Sequence, residues 1–205
     1  MSSVEICNLC YLGDYQKVSL KIIEDKSLLT ATDDSGRQPL HWACVGGCID
    51  VFNYLVQKGA SIECRDEMKW TPLMIATAAG RLDITKALIA RGANVNVVNC
   101  NGQSSLHYAA SKNRLEIAKI LLESNADPNI PDKLGELPLH RAASIGSIML
   151  TQVLMEYSNK INLNHANSTG NTPLHLACAE DHVEIAKILI AKGADTTIIN
   201  KVCYS

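Results

Sequence analysis

The fold is decided by the stretch Gly170-Asn171-Thr172-Pro173-Leu174-His175-Leu176-Ala177-Cys178, because related stretches recur along the chain at a nearly constant spacing. Their shared leucine stands at Leu40, Leu73, Leu106, Leu139 and Leu174, so three of the four steps are 33 residues and one is 35. A period of this length indicates a repeat protein in which each repeat is one supersecondary unit.

Each repeat is predicted to form a pair of helices followed by a turn. Thr172 before Pro173 is typical of a helix start, since the threonine caps the helix and proline at the first turn loses no hydrogen bond. Gly80 or Asn113 at the end of the first helix favours a left-handed residue there. The second helix is exemplified by residues 115–122, which are apolar at helical spacing. One such pair cannot bury its own apolar face, so stability is expected to come from stacking on neighbours.

The repeat boundaries predict a single domain over residues 1–205. The segment 1–33 is interpreted as an N-terminal cap, and the repeats follow at 34–66, 67–99, 100–132, 133–167 and 168–200. The two extra residues of the fourth repeat are expected near 157–162, as a longer second helix or a bulged loop. Residues 201–205 are interpreted as the start of a further repeat that is absent or truncated. The outer face of 171–192 is then expected to be apolar, open and least stable, or covered by a partner or a second copy.

Composition excludes several classes of function. The chain has a net charge of −2, which argues against nucleic-acid binding through a basic face. No secretory signal or membrane-spanning run is present, so we expect a cytoplasmic and nuclear protein with its eight cysteines reduced. The acceptor pattern Asn167-Ser168-Thr169 is therefore not expected to be glycosylated.

The repeat resembles the ankyrin repeat from about residue 34 to 200, on the Thr-Pro-Leu-His stretch and on a closing Gly-Ala pair such as Gly92-Ala93. This resemblance implies an all-α solenoid of helix-turn-helix units joined by β-turn or hairpin tips, with a concave binding face. Within this group, Leu40-His41-Trp42-Ala43-Cys44, Ser111-Lys112-Asn113-Arg114 and Asp25-Lys26-Ser27-Leu28 are similar to the gankyrin family.

The resemblance to the gankyrin family implies a non-catalytic chaperone for assembly of the 26S proteasome regulatory particle. It further implies that the concave face binds the C-terminal domain of a proteasomal ATPase subunit. Contact with that subunit is carried over to Arg37 and Lys112, with Trp70, Arg81 and Arg114 as neighbours. The family has a further C-terminal repeat that this sequence lacks after Lys201.

The charged residues at the turn tips and on the exposed side of each first helix predict a protein-binding groove that has both negative and positive charges. The acidic residues at the early tips are Asp33, Asp34, Asp66 and Glu67; the basic residues just inside are Arg37, Lys69, Arg81, Lys112, Arg114 and Arg141; Trp70 and Tyr108 lie among them. An ordinary solvated rim is the alternative interpretation. A generic ankyrin adaptor for a kinase (a cyclin-dependent kinase included), a pocket protein or a transcription factor is the alternative function. Either way we expect a monomer with a protein partner and no cofactor.

Histidine recurs at equivalent positions of four repeats, as His41, His107, His140 and His175, but this column does not predict a metal site. Helices of neighbouring repeats pack about 8–10 Å apart, whereas zinc needs its nitrogens about 2.1 Å from one centre. Each histidine is instead expected to bridge two repeats by hydrogen bonds through both ring nitrogens. Cys7 and Cys10 are interpreted as one face of the capping helix. No phosphate loop or catalytic motif is present, so the sequence predicts no enzyme activity.

Leu176-Ala177-Cys178-Ala179-Glu180 matches a Leu-x-Cys-x-Glu pattern, which retinoblastoma-type pocket proteins bind as an extended peptide. The same residues belong to a predicted first helix, with Leu176, Ala177 and Cys178 partly buried. We therefore favour a structural role for them, and a folded Cys178→Ser variant that lost pocket-protein binding would contradict this preference.

Overall fold

The computed structural model describes residues 3–157 and 161–201, and the described residues form α-helices in pairs, with no β-strand among them. The prediction of an all-α fold of helix-turn-helix units is confirmed. The helices are α1 (Ser3–Leu12), α2 (Tyr15–Glu24), a short 3-10 helix (Lys26–Thr30), α3 (Pro39–Gly46), α4 (Ile49–Gln57), α5 (Pro72–Ala79), α6 (Leu82–Ala90), α7 (Ser105–Ser111), α8 (Leu115–Glu123), α9 (Pro138–Ser144), α10 (Ile148–Glu156), α11 (Pro173–Ala179) and α12 (Val183–Ala191).

The first helix of a repeat starts and ends where the sequence predicts. In α5 the Thr71 hydroxyl accepts from the Met74 N–H (3.3 Å) and Pro72 occupies the first turn. The helix then ends on Gly80, whose φ of 73° is left-handed. Asn113, with φ 52°, takes the same place after α7. The left-handed residue turns the chain back so that the second helix packs against the first.

Backbone contacts divide the chain into two compact units, Met1–Cys100 (unit 1) and Asn101–Ser205 (unit 2). In unit 1 the first helices α1, α3 and α5 pack in sequence, and the second helices α2, α4 and α6 do the same. Unit 2 repeats this arrangement with α7, α9 and α11 in one layer and α8, α10 and α12 in the other. The leucines that define the period lie between the layers, Leu40 and Leu139 with no exposed surface, so burial of this column stabilises both units.

The longer fourth repeat has a second helix of ordinary length. Helix α10 has nine residues, as do α8 and α12, so the two extra residues do not lengthen it. Ile161 takes the buried place that Ala126 has in the preceding repeat, which puts the insertion between Glu156 and Ile161. Of the stretch 157–162, where a bulged loop is the alternative prediction, residues 158–160 lie outside the described residues.

The two ends differ from the inner repeats. In α1, Cys7 and Cys10 are buried, as predicted for one face of a capping helix. In α12 only Ile185 and Leu189 are buried, and Ile190 is exposed. Cys178, expected to be partly buried, is also exposed, because no described helix packs on that side of α11. The low stability expected of this face stays a prediction.

Candidate protein-binding surface

Turn tips of both units are held by a single aspartate or asparagine. In unit 1, Asp33 Oδ1 accepts from the backbone N–H groups of Ser35 (2.8 Å) and Arg37 (3.0 Å). In unit 2, Asp132 Oδ1 accepts in the same way from Leu134 and Glu136, both at 2.9 Å. Because both donors belong to the tip itself, these carboxylates close the turn and are not free to receive a partner.

The second oxygen of each aspartate accepts from a side chain. Trp42 Nε1 donates to Asp33 Oδ2 (2.8 Å), and Arg141 Nη2 donates to Asp132 Oδ2 (2.8 Å). Each of these donors stands nine residues after its aspartate. The residue nine after Asp66 is the apolar Ile75, and here Arg37 of the preceding turn tip supplies the donor, Nε to Oδ2 at 3.1 Å.

Whether a tip residue is aspartate or asparagine depends on whether a side chain is present to donate to its second oxygen. Asn167 makes the same Oδ1 contacts, to the N–H groups of Thr169 (3.1 Å) and Asn171 (2.9 Å), but the residue nine positions later is Leu176. A carboxylate buried without a cation or donor is costly, whereas the neutral amide of Asn167 can itself donate, as its Nδ2 does to Glu136 Oε1 at 3.2 Å. The tip residue is therefore charged only where packing brings it a donor.

Burial and hydrogen bonding act on the acidity of these carboxyl groups in opposite directions. Burial alone would raise the pKa of Asp132, but the Glu136 N–H and the Arg141 guanidinium outweigh it and hold the pKa below its usual value. The pKa of Asp33 is lowered in the same way, with burial opposed by the N–H groups of Arg37 and Ser35 and by Trp42. Both groups are anions at neutral pH.

The predicted site residues therefore divide by accessibility. Asp66 is buried, and Asp33, Arg37 and Arg141 are half-buried and engaged in the tips, Arg141 also lying 3.0 Å from Glu136. We accordingly assign Asp66 to the turn and base the binding surface on the exposed residues. Those exposed are Asp34, Glu67, Lys69 and Arg81 in unit 1, and Lys112 and Arg114 in unit 2; Trp70 and Tyr108 are half-buried.

Two exposed apolar residues at the tips were missed by sequence reasoning. Met68 in unit 1 and Leu134 in unit 2 stand at equivalent turn positions, and both are exposed. The other repeats have the polar residues Ser35, Asn101 and Thr169 there. Aligning the tips column by column would have revealed an apolar residue in a polar column, which is a signal for binding.

Lys69 has a backbone conformation that favours glycine. Its φ is 61°, and the corresponding residues Gly36, Gly102, Gly135 and Gly170 have φ between 74° and 82°. Among the described residues it is the one position with positive φ that holds neither glycine, asparagine nor aspartate. A lysine kept at this position at an energetic cost favours a use for its exposed ammonium.

We expect Lys69→Gly to raise the free energy of unfolding by about 0.5–1 kcal/mol. A left-handed non-glycine residue costs roughly 1–2 kcal/mol, and the greater chain entropy of glycine offsets part of the gain. Urea titration would measure the change. The reverse substitution Gly36→Lys is the matched control and is expected to destabilise, since a Cβ there meets Glu67 Cγ at 3.0 Å. A Lys69→Gly variant less stable than the parent would contradict the strain argument.

Two of the four histidines bridge neighbouring repeats through both ring nitrogens, as predicted for the whole column. In unit 2, His107 Nδ1 accepts from the Ser104 N–H (3.1 Å), and its Nε2 bonds to the Glu136 carbonyl of the next repeat (3.0 Å). His140 repeats this with the Leu137 N–H (3.1 Å) and the Asn171 carbonyl (3.1 Å). No group of three or more possible ligands for a metal occurs within residues 3–157 and 161–201.

A close cysteine–histidine pair in unit 1 does not have the properties of a nucleophile. Cys64 Sγ lies 3.6 Å from His41 Nε2. Burial raises the pKa of the Cys64 thiol to about 12, so the thiolate is scarcely populated near neutral pH. The seven described cysteines are all free thiols.

The Leu-x-Cys-x-Glu pattern lies on α11 up to Ala179, as predicted, and its Glu180 is the residue that follows the helix. Leu176 is half-buried and Ala177 is fully buried, whereas Cys178 and Glu180 are exposed. An extended conformation would require α11 to unfold and Ala177 to leave the core.

These features define a class: a helical-repeat module for protein–protein interaction, with turn tips held from within and charged and apolar side chains exposed on them. The chain belongs to the ankyrin-repeat family. Models described as ankyrin repeats in three copies match residues 59–132 and 124–200, and a single ankyrin repeat matches residues 35–67. No described helix has the length and apolar character needed to cross a membrane.

Curated relatives match shorter segments. The 26S proteasome non-ATPase regulatory subunit 10 of Mus musculus is 46% identical over 71 residues, which are 35% of this chain and 31% of that protein. The Homo sapiens subunit of the same name matches with the same identity and coverage. A putative ankyrin repeat protein of fowlpox virus is 55% identical over 38 residues, 18% of this chain and 9% of that protein. The chain thus spans about a third of the length of the proteasome subunits that it matches.

Proposed function

We propose that this chain is a non-catalytic chaperone for assembly of the 26S proteasome regulatory particle, acting in the cytoplasm and nucleus. The observation that carries the proposal is the 46% identity to 26S proteasome non-ATPase regulatory subunit 10 over 71 residues. The resemblance of the first-helix sequences to the gankyrin family supports it. The partner we propose is the C-terminal domain of a proteasomal ATPase subunit.

The exposed charges suit capture of a folded partner that has charges of both signs. In unit 1 the exposed carboxylates of Asp34 and Glu67 stand at the tips beside Lys69. In unit 2, Lys112 and Arg114 are exposed at the end of the first helix, and neither forms an ion pair with another described residue. Charges arranged in this way set the orientation and the rate of association more than the affinity.

Affinity in this proposal comes from two aromatic side chains. Trp70 and Tyr108 are both half-buried, so each keeps part of its surface accessible. Tyr108 is further fixed by its hydroxyl, which donates to Gln103 Oε1 at 2.6 Å. Aromatic residues already held in place lose little entropy on binding and are frequent hot spots. The chaperone would delay docking of the ATPase on the core particle by occupying its surface, and the complex would be reversible.

The test is retrieval of proteasomal ATPase subunits by a tagged copy of the full chain. Lys112→Glu with Arg114→Glu is expected to reduce retrieval by about tenfold or more, since two attractive contacts become repulsive. Arg37 is left unchanged because glutamate there would face the buried Asp66 and destabilise the tip.

Lys86→Glu with Lys192→Glu is the matched control. It makes the same change in charge at exposed positions on or just after second helices, and retrieval should persist. Retrieval of ATPase subunits that is unaffected by the first pair would overturn the assigned surface. Failure to retrieve any ATPase subunit, with a kinase, pocket protein or transcription factor in its place, would overturn the chaperone proposal in favour of a generic adaptor.

A further inference from the structure

The junctions between first and second helices form a continuous row in unit 2. The three junctions are residues 112–116, 145–149 and 180–184. Ser147 Oγ donates to Asn113 Oδ1 (2.6 Å), which joins the first junction to the second. His182 Nε2 bonds to the Ser144 carbonyl (3.1 Å), which joins the second to the third. The three junctions are therefore neighbours on one surface.

The middle junction is apolar and exposed. Ile145, Ile148 and Met149 have relative exposures between 41% and 57%, and Val183 of the next junction has 52%. The whole stretch from Ala142 to Met155 contains no charged residue. Exposed apolar clusters of this kind on a charged surface are typical of interaction sites.

Met149 in particular departs from the pattern of the other repeats. The second residue of the second helix is acidic in each of them: Asp50, Asp83, Glu116 and Glu184. A carboxylate there is favourable because it lies at the positive end of the helix dipole. Helix α10 has no acidic residue in its first turn, so it forgoes this stabilisation and exposes a methionine. Helix stability does not explain this choice, but a binding role does.

The two flanking junctions have opposite charges. Lys112 and Arg114 are exposed on one side, and Glu180 and Asp181 on the other. Glu116 and Glu184 are neutralised within their own helices by Lys119 (3.0 Å) and Lys187 (2.8 Å). Lys112, Arg114, Glu180 and Asp181 form no ion pair within the described part of the chain, so their charges remain available. The row thus has two positive charges, an apolar centre and two negative charges, in that order.

We propose that this row is the interface of a symmetric dimer of two copies of this chain. A two-fold axis through the middle junction places the apolar centre of one copy on that of its partner. The same rotation sets Lys112 and Arg114 of each copy opposite Glu180 and Asp181 of the other, so the surface is complementary to itself, as a two-fold interface requires. This replaces the expectation of a monomer.

Dimerisation would also regulate the proposed function. Lys112 and Arg114 belong to both the dimer interface and the surface proposed for the ATPase subunit, so the two associations compete. Only this consequence rests on the proposed function, whereas the dimer itself does not. A monomeric variant is therefore expected to capture the partner as well as the parent chain, or better.

Met149→Glu is the first test, measured by sedimentation equilibrium of the full chain over a range of concentrations. The parent is expected to dimerise, and the variant should raise the dissociation constant at least about tenfold because two carboxylates meet at the axis. Glutamate is found at this position in other repeats, so the fold should be retained. Leu20→Glu, also an exposed apolar residue but on α2, is the control and should leave the dimer unchanged.

Charge complementation is the second test. The variant Lys112→Glu with Arg114→Glu should not dimerise by itself, and neither should Glu180→Arg with Asp181→Asn. Asparagine is chosen at 181 because it tolerates the left-handed backbone of φ 57° there. Mixed in equal amounts, the two variants should restore a dimer, since each altered flank then meets its opposite charge. A parent chain that stays monomeric, or a mixture that fails to associate, would overturn the proposal. The proposal would also be overturned if the parent chain were monomeric and Met149→Glu abolished its capture of another protein. The surface would then be assigned to that protein.

Discussion

Asp132→Ala is expected to lower the free energy of unfolding by about 3–5 kcal/mol, the usual cost of removing one partner from a buried ion pair. The substitution leaves the N–H groups of Leu134 and Glu136 without an acceptor. It also leaves the Arg141 guanidinium, now 2.8 Å from the Asp132 carboxylate, with only Glu136 to balance its charge. Urea titration followed by circular dichroism would measure the loss.

A double-mutant cycle makes this prediction sharper, because the tip at Asn167 already contains the compensated pair. Arg141→Leu alone should be strongly destabilising, since it leaves the Asp132 carboxylate buried beside a leucine. Arg141→Leu combined with Asp132→Asn reproduces the Asn167 and Leu176 pair and should recover most of the stability. Additive losses in the double variant would contradict the coupling between the tip residue and the residue nine positions later.

Lowering the pH from 7 to 4.5 is expected to lower the free energy of unfolding by about 2.5 kcal/mol through His140 alone. Burial lowers the pKa of His140 to about 4 in the folded chain, whereas an unfolded histidine titrates near pH 6.5. The unfolded chain therefore binds the proton first. The stability is fully present above pH 6.5 and is lost as the pH falls toward 4. Burial also lowers the pKa values of His41 and His107, so both add to the loss.

The physical reason for the pH effect is the role of Nδ1. In its neutral form His140 Nδ1 accepts from the Leu137 N–H, and a proton on that nitrogen would set two donors against each other. His140→Gln is the control: it should be less stable at pH 7 but lose less stability on acidification. Stability that is constant between pH 7 and 4.5, or an unchanged pH dependence in His140→Gln, would contradict the assignment. Acid loss below pH 4 is a separate effect, since the carboxylates of Asp33 and Asp132 then take up protons.

Several features of the candidate surface were accessible from the sequence but needed a comparison between repeats. Lys69 stands in a column of glycines, so its left-handed backbone could have been predicted from the tip alignment. Met68, Leu134 and Met149 likewise stand out only when each is compared with the corresponding residue of other repeats. A pattern that averages over repeats predicts the fold, whereas departures from it indicate where a repeat has another use.

The accessibility of the charged residues could not be predicted in this way. Asp33, Asp66 and Arg141 read as surface charges along the chain, but the structure buries Asp66 and engages all three in the tips. The second oxygen of Asp66 is occupied by Arg37 from the preceding turn tip. That contact depends on how neighbouring tips pack, because the local candidate, Ile75, cannot donate.

The sequence by itself determined the period of the repeats, the starts and ends of the first helices and the bridging role of His107 and His140. Each of these follows from local rules of capping, backbone conformation and burial that act within some forty residues. Tertiary structure alone decided which charges close the turn tips, which remain exposed, and that three helix junctions of unit 2 join into one row of opposite charges about an apolar centre. These depend on contacts between repeats, where the partner of a side chain is set by stacking and not by its distance along the chain.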